Sequence, residues 1–377
     1  GPFSIDTYLP SFPDIESSFA ISRATLSQSM GIYLLAFALS TLFWGPLSDR
    51  IGRRWVILAS LLIYALGSIG CAMTEDYTFF ILMRLLQGVS ASGGFIAGRA
   101  MIRDAHDAAS AHKAMTQVTL VFALAPAIAP LLGGWLHQLF GWRSIFWFLM
   151  AFGLLLSVFT PFVKETLAHE HRQSFHPRSV LRVYINILAN KKFVTLALSL
   201  TLSFSGLFLY IAGAPTVVYD FLGLGSGDFG LQFIPMVAGM MLGSFLSGHL
   251  AHRIDIRKTA AIGFIIMFLS IIANLLQAQL LIPRVVTVIA PMVLYSFGLS
   301  ITMPAITILS LDCFPKHRGA AASMQGFLQM AFNAGVASIA VPLLHSQLIH
   351  FVLGQGLLLL SALFLWFYYR YLMRGEI

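Results

Sequence analysis

An aspartate in SIDTYLP (residues 4–10) and an arginine in RLLQGVSASGG (84–94) each interrupt an otherwise apolar run. A carboxylate can take up and release a proton, and a guanidinium keeps its charge and matches an ionised carboxylate in shape. Burial disfavours the ionised carboxylate and a nearby arginine favours it, so such a pair can hold an acid between its two states. Other chemistry finds less support. The two cysteines, Cys71 and Cys313, form no CxxC, and there is no histidine pair at ligand spacing and no acidic metal loop. No catalytic Ser, His or acid constellation and no GxxxxGK[ST] loop occur, so the sequence predicts no enzyme, no metal and no cofactor, with energy drawn from a proton gradient.

The elements that must position Asp6 and Arg84 follow from composition. Hydrophobic residues make up 58% of the 377 residues and mean hydropathy is +0.83, well above the roughly 45–50% apolar content of a soluble domain. Apolar stretches predict twelve helical spans near 1–14, 26–47, 55–74, 78–101, 116–138, 143–163, 193–216, 229–251, 260–281, 285–310, 320–344 and 350–372. Helices are required because lipid leaves no partner for a free backbone amide. The first span is shorter than the roughly 20 residues a crossing needs, which makes it an incomplete helix. Residues 1–20 do not resemble a cleavable signal peptide.

The charge of +8 reports topology before it reports any nucleic acid. Loops after helices 2, 4, 6, 8 and 10 and the C-terminus hold 19 of the 23 Lys and Arg, and the opposite loops hold only Arg23, Arg143 and Arg284. The positive-inside rule therefore places both termini in the cytoplasm of a multi-pass protein in contact with lipid. The polar stretch 164–192 divides two six-helix halves, 1–163 and 193–377, and reads as a cytoplasmic linker, part of it an amphipathic helix at the anionic leaflet. Its histidines, His169, His171 and His176, have no second ligand group nearby and read as solvated.

Fourteen of the fifteen acids map to loops or span ends, leaving Asp6 inside a span. At 1.5 Å per residue Asp6 lies about 12 Å below the face that its helix leaves near Asp14, and Arg84 about 9 Å below the same face. A mid-bilayer Arg costs about 2.5–3.5 kcal/mol even on the lenient insertion scale, so Arg84 must face protein or water. Matching depth makes the two expected proton-coupling partners.

An internal repeat supports two halves. GPLSDRIGRR (45–54) and GHLAHRIDIR (248–257) share Gly45 with Gly248, Leu47 with Leu250, Arg50 with Arg253, Ile51 with Ile254 and Arg54 with Arg257. The first copy resembles the signature loop between helices 2 and 3 of the major facilitator superfamily. Arg84, Gln87 and Gly88 match the Arg-x-x-Gln-Gly element of its drug:proton antiporter branch with twelve spans, and APAIAPLLGGW resembles that branch's exporter motif, with Pro126, Pro130, Gly133 and Gly134 in place. Ala125 and Ala129 stand where glycine is usual. SIDTYLPSFPDI, GWRSIFW and FPKHRGAAASMQGFLQM resemble the Bcr/CflA, or bicyclomycin-resistance-like, subfamily.

The resemblance implies an all-α major facilitator fold, two six-helix bundles around a central cavity, and a monomer. It implies a conformational latch of Gly45, Asp49, Arg50, Gly52, Arg53, Arg103 and Asp104, in which Asp49 pairs with Arg103 or meets the start of helix 11. The second copy has His252 at the Asp49 position, so the latch should be asymmetric. The small residues of helix 5 fit close packing, or flexing at the two prolines. Candidate cavity residues are Tyr8, Tyr33, Phe37, Gln87, Gln117, Phe204, Phe208, Tyr210, Phe233, Tyr295, Met303, Gln325, Gln329 and Asn333. An apolar cavity with few polar anchors favours lipophilic or amphiphilic small molecules, exported in exchange for protons. The alternatives are a proton-coupled transporter of one metabolite, such as an amino acid, sugar or siderophore, and a membrane-embedded enzyme or sensor.

Overall fold

The computed structural model describes residues 2–105, 108–167, 177–250, 253–315 and 317–374. The three linker histidines and His252 lie outside them. Contacts divide the chain into two compact units, Gly1–Pro177 and Arg178–Ile377. Among the described residues the regular structure is helical, and eleven helices are long and apolar enough to cross a membrane.

In the first unit these are α3 (Arg23–Ile51), α4 (Arg53–Met73), α5 (Tyr77–Ala105), α6 (Ala108–Phe140) and α7 (Arg143–Phe159). Their starts carry local caps. Ser22 accepts from the Thr25 amide at the start of α3, and Asp76 accepts from the Phe79 amide at the start of α5, satisfying donors a helix leaves free. Gly52 turns the chain between α3 and α4 at φ 108°, a conformation that penalises a Cβ. Outward side chains such as Leu66, Leu139 and Phe162 are exposed, as lipid-facing positions require.

The predicted first span, 1–14, is not one helix. It comprises α1 (Pro2–Asp6), a 3-10 turn at Leu9–Ser11 and α2 (Phe12–Phe19), and is absent from the eleven. Pro10 explains the break: it has no N–H for the Asp6 carbonyl, and its ring would press on that carbonyl. The chain turns instead through Ser11 N–H to Tyr8 O at 3.0 Å.

The second unit contains α8 (Pro177–Ala189), α9 (Lys191–Ala212), α10 (Gly230–Leu250), α11 (Ile256–Leu280), α12 (Val285–Leu311), α13 (Arg318–Gly335), α14 (Val341–Leu344) and α15 (Leu348–Arg374). A π-helical segment, Val336–Ala340, joins α13 to α14, so the predicted span 320–344 is a helix with a wide turn inside it. The amphipathic helix expected in 164–192 is α8. Its Val183, Tyr184 and Ile187 pack on Phe193 and Ala197 of α9 and on Ala321 and Met324 of α13, so that face meets protein.

Candidate functional site

Arg84 is fully buried in the first unit, and its surroundings explain how it is tolerated there. Its guanidinium lies between two aromatic faces, 4.6 Å from the Tyr8 ring centroid and 4.7 Å from that of Tyr33. Each such desolvated contact is worth roughly 2 kcal/mol, enough together to offset the cost of placing Arg in the bilayer. Nη1 donates to Gln87 Oε1 at 2.8 Å, one turn along α5, and Gln87 Nε2 donates to Ser68 Oγ of α4 at 2.7 Å. The Tyr8 hydroxyl bonds Ser29 Oγ of α3 at 3.2 Å. Four segments therefore hold one cation in place.

Nε and Nη2 of Arg84 have no partner. These two N–H groups form the side-on edge of the guanidinium, the edge that takes a carboxylate bidentately. Asp6 is 4% exposed, and among the described residues no hydrogen bond or ion pair within 4.0 Å reaches its carboxylate. The direct Asp6–Arg84 pair expected from depth is therefore not made in this conformation. Tyr33, whose ring covers Arg84, is within electrostatic reach of Asp6 as well. Its hydroxyl also lacks a hydrogen-bond partner. Ser4, on α1 with Asp6, bonds the Tyr64 hydroxyl of α4 at 2.6 Å and ties the short helix to the bundle.

The exporter motif meets this same place. A Cβ at Gly133 would overlap the carbonyl oxygen of Thr7, the residue after Asp6. Backbone packs on backbone there, and glycine is required. Pro126 and Pro130 lie inside α6 without ending it, and Ala125 and Ala129 are buried. The tight approach of this helix to the Asp6 segment thus falls at Gly133, where glycine is retained.

At the α3–α4 turn the structure corrects the expected pairing. Asp49 pairs with Arg53 at 2.5 Å rather than with Arg103, which is 70% exposed and, among the described residues, lies 3.9 Å from Asp104. Arg53 is the buried centre: Nε donates to Asp104 Oδ2 at 3.1 Å and Nη1 to Ser48 Oγ at 2.6 Å. Asp49 and Arg53 are four residues apart across the Gly52 turn, which puts them within reach of each other, whereas Arg103 points to solvent. A Cβ at Gly45 would meet Ile96 at ordinary contact distance, and Arg50 is exposed.

Sequence reasoning filed Glu165 among loop acids. Its carboxylate accepts the backbone amides of Arg53 and Arg54 at the start of α4, both at 3.1 Å, and those of Thr166 and Leu167. Burial pushes against its ionisation, but these four N–H donors outweigh it and hold the carboxyl below the usual carboxylate range. One signal was available: an acid just past the end of a span, in a stretch otherwise rich in cations.

The cavity candidates separate. Tyr8, Tyr33 and Gln87 belong to the Arg84 cage; Phe37 packs on Tyr33 and Phe95, with centroids 6.5 and 5.9 Å away; Gln117 is exposed. In the second unit Tyr210, Phe233 and Tyr295 are core rather than cavity residues. Each is 1% exposed or less, with Tyr210 bound to Asn274 and Tyr295 donating to the Ser203 carbonyl. Phe208 is buried and stacks on half-buried Phe204 at 6.4 Å. Gln325 bonds Ser310 and Thr307, and Asn333 accepts from Ser205 at 2.8 Å. Met303 and Gln329 are half-buried.

Two units of membrane-length helices, with a buried acid on a broken first helix and a caged arginine, are the architecture of a membrane transporter. The chain belongs to the Major Facilitator Superfamily, whose family model matches residues 2–342. It is 28% identical over 270 residues to the bicyclomycin resistance protein homolog of Haemophilus influenzae, covering 71% of this chain and 68% of that protein. It is 27% identical over 351 residues to multidrug resistance protein D of Escherichia coli, covering 91% and 86%. A solved bacterial homolog of the human lysosomal transporter Spinster, inward-facing and unoccupied, shares the fold at a TM-score of 0.76 and 16% identity, over 98% of this chain and 94% of that one.

Proposed function

We propose that this chain is a proton-coupled exporter of drug-like or amphiphilic small molecules, working by alternating access in a bacterial inner membrane with both termini cytoplasmic. Membership of the superfamily, the names of the bicyclomycin- and multidrug-resistance relatives and the asymmetric distribution of Lys and Arg support this reading.

The observation that carries proton coupling is the free Nε/Nη2 edge of Arg84, buried in the same unit as Asp6. A protonated Asp6 is neutral and needs no cation. When it gives up its proton, the carboxylate docks on that edge with two charge-assisted hydrogen bonds, which stabilises the deprotonated state without solvent. Substrate and proton then compete for a site whose access changes. Gly133 holds the Asp6 segment in place, and the Arg53 cluster with Glu165 fixes the α3–α4 turn as the conformational latch.

The experiment has two arms. Cells producing the chain should gain resistance to bicyclomycin or to other compounds of a lipophilic panel. Asp6→Asn should abolish pH-gradient-driven efflux while leaving folded protein in the membrane. Proton-driven efflux unchanged in Asp6→Asn would sink the mechanism, and absence of any resistance or accumulation phenotype would count against the substrate class.

A further inference from the structure

Among the described residues the second unit buries no Asp, Glu, Lys, Arg or His, yet it buries amides with polar atoms left unpaired. Asn274 and Gln277 lie one turn apart on α11, 1% and 5% exposed, and Gln355 lies on α15, 1% exposed. Asn274 Nδ2 donates to the Tyr210 hydroxyl of α9 at 2.8 Å and to Gln355 Oε1 at 3.3 Å. Beyond those bonds, Asn274 Oδ1, both polar atoms of Gln277 and Gln355 Nε2 are without partners. The set contains two acceptors and two donors, held at the end of the unit where α9 and α11 finish and α15 begins.

The chemistry of the set narrows its ligand. An anion would be opposed by the two carbonyl oxygens, a cation by the two amide nitrogens, and an apolar group would leave all four atoms unsatisfied. Water donates and accepts, carries no charge, and is the usual partner of buried polar groups that the protein does not pair.

We propose that Asn274, Gln277 and Gln355 form a buried hydration site, in which ordered water completes the Tyr210–Asn274–Gln355 chain and pins α11 and α15 to α9. The site is independent of Asp6 and Arg84. It serves the second unit as the caged arginine serves the first, by joining helices through polar contacts in a setting where lipid offers no substitute.

Radiolytic hydroxyl labelling of the intact detergent-solubilised protein tests this, because bound water generates radicals in place. Tyr210 and Tyr295 are both fully buried, but Tyr295 donates to a backbone carbonyl rather than to the amide set. Tyr210 should label several-fold faster than Tyr295, and Gln277→Leu should reduce that labelling and lower the melting temperature. Equal, slow labelling of both tyrosines would overturn the proposal. A Gln277→Leu protein that melts higher would overturn it as well, because a dry, unsatisfied amide is improved by an apolar side chain of similar size. If Gln277→Leu does not fold, the wild-type labelling ratio still decides.

Discussion

The start of α4 and the start of α11 occupy equivalent places in the repeat, and they are capped in opposite ways. At α11 the cap is local: Asp255 accepts from the Arg257 amide two residues on, at 2.8 Å. At α4 the equivalent position is Gly52, which has no side chain to offer, and the amides of Arg53 and Arg54 are taken by Glu165, over 100 residues away. A local cap stabilises one helix. A distant cap also ties the turn to the end of another span, so what happens at one is felt at the other. The interiors follow the same division. The first unit buries an arginine caged by tyrosines and a separate carboxyl, the second a neutral set of amides. The loop pattern recurs in both halves, while among the described residues the buried Asp and Arg side chains lie in the first alone.

The largest effect is expected at Arg84. Arg84→Lys keeps the charge but loses the planar fork and the stacking on two rings, and efflux should fall at least tenfold, which corresponds to about 1.4 kcal/mol. Asn274→Leu, at the neutral set, should alter melting temperature without this loss of coupling. Gly133→Ala forces α6 away from Thr7 and should cost about 1–3 kcal/mol of stability, as overpacking does. Gly98→Ala in α5, where a Cβ meets nothing within 4 Å, is the matched control and should melt like the wild type. Both are read by thermal melting and by efflux in the same cells.

Tyr33 separates ring from hydroxyl. Tyr33→Phe keeps the face that covers Arg84 and should retain folding with a shifted pH profile of efflux; Tyr33→Leu removes the cation–π contact and should cost roughly 2 kcal/mol. The smallest effects concern the two caps. Glu165→Ala and Asp255→Ala should each cost about 1 kcal/mol, but only Glu165→Ala should also reduce efflux. The Glu165 contribution also has a definite pH dependence. Its carboxyl titrates lower folded than unfolded, so its contribution is complete above the ordinary carboxylate range and is lost as pH falls through the folded value. The melting gap between wild type and Glu165→Ala should therefore be widest near neutral pH and close under acid.

Much of this was legible in the sequence because lipid imposes simple rules. Span positions, the two halves and the burial of Asp6 and Arg84 follow from counting apolar runs and charges, but not whether the two meet. The break after Asp6 was also written there, in Pro10, but a count of apolar residues cannot see it. Tyr210 and Tyr295 were misplaced because an aromatic on a membrane helix looks the same whether it faces a cavity or its own bundle, and only the partners Asn274 and Ser203 decide. The partners of Glu165 and of the exporter-motif glycine Gly133 were hidden for a different reason: they are Arg53 and Thr7, more than 100 residues distant, and nothing in either neighbourhood announces them.

The central claim is that one carboxyl, Asp6, carries the proton that substrate displaces. Addition of an exported compound to purified protein in weakly buffered solution should release protons from the wild type and none from Asp6→Asn, with binding of the compound retained in both. Equal proton release from the two proteins would contradict the account.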